Sequence, residues 1–99
     1  MIDGSQCRAA RALVQITREK LASLSGVTSD IIEQFERRLA KPSNEQIAQL
    51  RAALERLGAQ FIDENGGGVG VRLKFSRSET KRIADLENEG GISGFDDVP

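Results

Sequence analysis

Thr17-Arg18-Glu19-Lys20-Leu21-Ala22-Ser23-Leu24-Ser25-Gly26-Val27-Thr28-Ser29-Asp30-Ile31-Ile32-Glu33-Gln34-Phe35-Glu36-Arg37-Arg38 is the stretch whose reading decides the fold. Thr17 stands where an N-cap belongs, ahead of a run of good helix formers, and its hydroxyl can accept from a first-turn amide. Lys20 three residues on means that the capping box is incomplete. The run ends at Ser25-Gly26, glycine being the natural left-handed C-cap. Thr28 caps a second helix that is expected to reach Arg38, with Ile32 and Phe35 on its inner side. Only Gly26-Val27 separates the two helices, so the angle between them is sharp and fixed: Gly26 takes positive φ and Val27 plugs the gap. Lys41-Pro42 then breaks the pattern.

The outer side of the second helix is polar. Asp30, Glu33, Gln34 and Arg37 fall at i, i+3, i+4 and i+7, opposite Ile32 and Phe35. Short and amide-bearing side chains near the N-terminus of a helix suit the major groove of DNA. Glutamine pairs bidentately with adenine, aspartate or glutamate accepts from cytosine N4, and serine serves either.

Taken in order, Leu21-Ala22, Gly26-Val27, Ile32, Glu36-Arg37 and Pro42, followed by a leucine-striped helix, resemble the lambda-repressor-like (XRE, Cro-type) helix-turn-helix family. The resemblance covers roughly Cys7 to Leu57. It implies a mainly α fold, a bundle of four to five short helices, in a transcriptional regulator that binds a two-fold operator as a homodimer. It implies base contact by Ser29, Asp30 and Gln34, with Thr28 and Glu33 as neighbours, the glutamate better placed to orient a neighbour than to read a base. It implies phosphate contact by Arg18 and a structural ion pair between Arg11 and Glu36. Arg37, Arg38 and Lys41, the cations at the end of the recognition helix, are expected to join Arg18 on the phosphates. Two positions depart from the family. Arg18 stands where glutamine is usual. Arg38 stands where glycine is usual, so either the helix runs on through Leu39 or Arg38 is left-handed.

Working outward, Ser5 to Val14 reads as a first helix, with Cys7, Ala10, Leu13 and Val14 at helical spacing. Ser43 with Gln46 has capping-box spacing and opens the clearest helix, whose stripe is Ile47, Leu50, Leu54 and Leu57 and which Gly58 ends. Beyond it the period changes. Gln60 to Asp63 is a short apolar-centred run, Glu64-Asn65-Gly66-Gly67-Gly68 is a turn, and Val69, Val71, Leu73 and Phe75 alternate with smaller or charged residues. Together they make a β-hairpin. Ser78 caps a last short helix, and an acidic, glycine-rich tail is expected to be disordered. The expected layout is a DNA-binding domain over 1–58, the hairpin over 59–77, a helix over 78–89 and the tail over 90–99. Since the helical part has its own apolar stripe, it is expected to close its core unaided. The face of Phe61, Val71, Leu73 and Phe75 is then expected to make the dimer, so that a chain ending at Gly58 stays folded but monomeric.

Composition narrows the function classes. The 99 residues carry 14 Lys and Arg against 15 Asp and Glu, no histidine and one cysteine. The absence of histidine removes the commonest general base and any His-ligated zinc site. Cys7, at an apolar helix position, reads as core, and a single thiol excludes an internal disulfide framework. The Gly66 to Gly70 run lacks the Gly-Lys-Ser/Thr ending of a phosphate loop. No catalytic arrangement is visible, so the chain is expected to be no enzyme and to need no cofactor or metal. Met1-Ile2-Asp3-Gly4 lacks the basic and apolar regions of a signal peptide, and no apolar run is of membrane length. The cytoplasm is the expected compartment. Charge is uneven: residues 1–58 sum to +2 and residues 59–99 to −3. The expected partner is double-stranded DNA, with RNA polymerase or another protein as a candidate for the C-terminal surface. The alternative is an antitoxin or other interaction module, in which the acidic C-terminal segment binds a protein and DNA binding serves only autoregulation.

Overall fold

Four helices and a β-hairpin follow one another along residues 1–74, the part of the chain that the computed structural model describes. The expected helix over 78–89, the tail over 90–99 and Phe75 lie outside the described residues. Each helix begins at a side-chain cap. At α1 (Gly4–Val14), the Asp3 carboxylate accepts from the Gln6 amide at 2.8 Å, and the Gln6 side chain accepts from the Asp3 amide at 3.1 Å. This reciprocal box starts the helix one residue before Ser5. Thr17 caps α2 (Arg18–Ser25) by accepting from Lys20 at 3.0 Å, and Thr28 caps α3 (Ser29–Glu36) by accepting from Ile31 at 3.3 Å. Ser43 and Gln46 form a second reciprocal box at α4 (Asn44–Arg56).

The expected two-residue hinge is present. Gly26 has φ 81°, which a side chain would strain, and Val27 is buried. α3, however, stops at Glu36 rather than at Arg38. Arg37 forms its C-cap, and Arg38 takes the left-handed conformation with φ 62°. Of the two expectations for this position, the strained one holds, because the turn lets the Leu39 and Ala40 amides close on the Gln34 carbonyl at 2.8 and 3.3 Å. α1 meets the end of α3 closely: a Cβ at Gly4 would overlap the Phe35 carbonyl oxygen.

Leu21, Val27, Ile32, Ile47, Leu50, Leu54 and Leu57 are fully buried between the helices. α1 adds Cys7, Ala10 and Val14, while Leu13 stands half-buried at the rim. The core does not end there. β1 (Ala59–Ile62) pairs antiparallel with β2 (Gly70–Leu73), Phe61 opposite Val71 and Ala59 opposite Leu73. Ala59 and Phe61 are only 2% and 7% exposed, inside the same core as the helices, and Val71 and Leu73 pack on it half-buried. Val69 is 49% exposed and precedes the strand, so it is not part of the apolar face. The side-chain Nε2 of Gln6 donates to the carbonyls of Ile62 at 3.3 Å and Gly70 at 2.9 Å, tying both strands to α1.

One expectation is thereby corrected and another loses its basis. Phe61 is a core residue of its own chain, not a contact for a second copy, and the core of the helices extends into the hairpin instead of ending at Gly58. The physical reason is that both strands pack on α1 and β1 packs on α4 as well, with the Arg51 guanidinium of α4 5.5 Å from the Phe61 ring centre. Phe61→Ala is expected to cost about 3 kcal/mol or more, read as a lower urea midpoint at unchanged slope. Arg38→Gly should act in the opposite direction. Relief of the left-handed strain is worth on the order of 1 kcal/mol, seen as a rise of a few degrees in the thermal midpoint.

Candidate nucleic-acid interface

Ile32 and Phe35 anchor α3 by its inner side, which fixes what the other side presents. Thr28, Asp30 and Gln34 are exposed, and Ser29 and Glu33 are partly so. All five residues expected to meet bases therefore lie on or at the start of one eight-residue helix. The Thr28 hydroxyl is already engaged as the cap. Glu33 accepts from Arg37 at 3.1 Å in an exposed i,i+4 pair, which restrains both side chains and contributes little to stability.

The loop from α3 to α4 lines this face with cations. Arg38 and Lys41 are exposed and border a shallow groove with Leu39, Ala40, Phe35 and Gly4. On the other side of Lys41, a cleft of about 200 Å³ brings Gln34 and Ile31 against Pro42, Ser43 and Gln46. The structure thus gathers Gln34, Arg38 and Lys41 at one corner. Arg37 is taken up by Glu33, and Arg18 is placed differently from a bare surface charge.

Arg18 belongs to a buried network. The Glu36 carboxylate, its side chain 0% exposed, accepts from Arg11 Nη2 at 2.8 Å and Arg18 Nε at 3.2 Å on one oxygen. Its other oxygen accepts from Arg11 Nε at 2.9 Å and the Cys7 thiol at 3.4 Å. Burial pushes the Glu36 carboxyl up, but the hydrogen bonds and charge of Arg11, with the bonds from Arg18 and Cys7, outweigh it and hold the group below the usual carboxylate range. The same contacts raise Arg11, chiefly through its hydrogen bond to Glu36. Burial, then the Glu36 charge, pushes the Cys7 thiol far up, so it stays protonated and inert.

The Arg11–Glu36 pair matches the expectation. The Arg18 and Cys7 bonds to the same carboxylate were not foreseen. Arg18 stands at the first position of α2, and a second guanidinium near a buried pair has reason to share it. The role of Gln6 had no signal in the sequence, because its hairpin partners lie some 60 residues away. Among the described residues, no group of three or more His, Cys, Asp or Glu is placed to hold a metal ion, and no helix is long and apolar enough to cross a membrane. No protein-family model and no curated protein matches the chain.

The Glu36 pKa lies below its unfolded value. The stability contributed by the ionised carboxylate is therefore complete above the ordinary carboxylate range and lost as pH falls through the folded value. Arg11→Met removes the main partner and leaves a buried charge. It should cost about 3 kcal/mol at neutral pH. The deficit should shrink on acidification as Glu36 protonates, which paired urea titrations from neutral pH to pH 4 would read. A deficit independent of pH would assign the loss to the Arg11 stem instead.

Proposed function

We propose that the chain is a sequence-specific double-stranded DNA-binding regulator of transcription. In this reading α2 and α3 form a helix-turn-helix, α3 enters the major groove, and a homodimer reads a two-fold operator. The observation that carries it is the outer face of α3. A helix only eight residues long, held on its inner side by buried Ile32, Phe35 and Glu36 with Ile31 packed beside them, turns Ser29, Asp30, Glu33 and Gln34 outward together. That set offers the amide, carboxylate and hydroxyl groups that distinguish base edges. Exposed Arg38 and Lys41 stand beside it as local cations for phosphates, in a chain whose overall charge is −1 and whose positive balance, +2, falls within residues 1–58.

A second copy supports affinity by raising the effective concentration of the second reading head. With Phe61 committed to the core, Val71 and Leu73, half-buried on β2, are the part of the hairpin left to meet it. Repression would follow from occupying a promoter.

Selection of bound duplexes from a random pool tests the reading directly: an enriched, inverted-repeat site is the expected outcome, and an unenriched pool excludes it. On that site, Gln34→Ala should weaken binding by about 1–3 kcal/mol while leaving random duplex nearly unaffected. Equal losses on both would remove Gln34 from base reading.

A further inference from the structure

We propose that Glu36, buried and out of reach of DNA, is the positioning residue for the Arg18 phosphate contact: its carboxylate holds Arg18 by Nε and leaves both terminal nitrogens to meet a phosphate. The inference rests on the DNA-binding reading above. Its geometric basis is the asymmetry of the network. Arg11 spends two nitrogens on Glu36 and a third on the Ile16 carbonyl at 3.3 Å, and its side chain is 16% exposed. Arg18 gives only Nε, and its side chain is 33% exposed. Two guanidinium groups share one buried carboxylate, with Glu19 as a further negative charge acting on Arg11, and the donors not spent on Glu36 or Ile16 are on Arg18.

Arg18 is also the first residue of α2, where first-turn amides face the same side as an approaching anion. An unrestrained arginine loses rotamer freedom when it grips a phosphate. Here the side chain is already held by a group that Ile32 and Phe35, on the same helix, fix relative to the reading face. Glu36 thus ties the phosphate contact on α2 to the base contacts on α3.

A role as mere charge predicts the opposite of positioning. Glu36→Gln adds one positive charge, so electrostatics alone would tighten DNA binding and steepen its salt dependence. Positioning predicts weaker binding. The test titrates a random-sequence duplex of about 20 base pairs over a salt series with wild type, R18A, E36Q, the double variant and R18K. R18A should lower the salt slope by about 0.9 and the affinity by about fivefold to tenfold at 0.1 M salt. E36Q should lose a comparable factor, and R18A should then cost nothing more in the E36Q background. R18K, which keeps the charge but has one nitrogen for two partners, should bind within about twofold of R18A. This arm decides if E36Q melts below the assay temperature. Tighter binding by E36Q, a full R18A effect in both backgrounds, or wild-type binding by R18K overturns the positioning role and leaves DNA binding intact. An unchanged slope in R18A removes the Arg18 contact alone. A wild-type chain that binds no duplex removes the functional reading as well.

Discussion

Four donors from two other helices converge on the carboxylate of Glu36, the last residue of α3. Cys7 and Arg11 come from α1 and Arg18 from α2, so one side chain fixes the relative placement of three helices. Burying a carboxylate is costly unless its lone pairs are filled. Here both oxygens are filled, and the thiol, too buried to ionise, serves as a plain donor. Such a network gains little over a well-packed apolar cluster, but it accepts only one arrangement of the helices. Directional bonds exclude the sliding that leucine and isoleucine alone would tolerate. In a domain whose proposed task is to present one helix face at a set angle, that exclusion matters more than the net stability.

Local chemistry was legible in the sequence. Thr17, Thr28 and the Ser43–Gln46 box each sit at the helix start they announced, and Gly26 and the Ile47 to Leu57 stripe behave as their spacing implied. These features depend on neighbours within a few residues, which is where sequence patterns carry their information. The Asp3–Gln6 box has the same signature, but the apolar spacing of α1 points to a start at Ser5 instead. What could not be read were bonds between distant elements. Gln6 is a surface-type residue by composition, yet it is buried under the hairpin. Phe61 was placed on an open apolar face because alternation reports that one face is covered, not by what.

At the candidate interface, the sequence located the face but not the state of its charges. Ser29, Asp30 and Gln34 are outward, as helical periodicity requires once Ile32 and Phe35 are inward. Whether a nearby arginine is free is a tertiary fact. Arg37 is paired with Glu33, Arg18 leans on Glu36, and Arg38 occupies a strained turn where glycine is easier. The proposed phosphate grip therefore draws on cations held in three different ways.

The Gln6 bridge bears on the order of events during synthesis. Its two acceptors lie 56 and 64 residues further along the chain. The side of α1 that carries Gln6 therefore leaves the ribosome well before either acceptor, at a synthesis rate of about 5–20 residues per second. Gly70 follows Arg56, the end of α4, by only 14 positions, so α4 and β2 emerge almost together. Among the described elements β2 is the last to arrive, and its arrival seals the flank of α1 on which Gln6 rests.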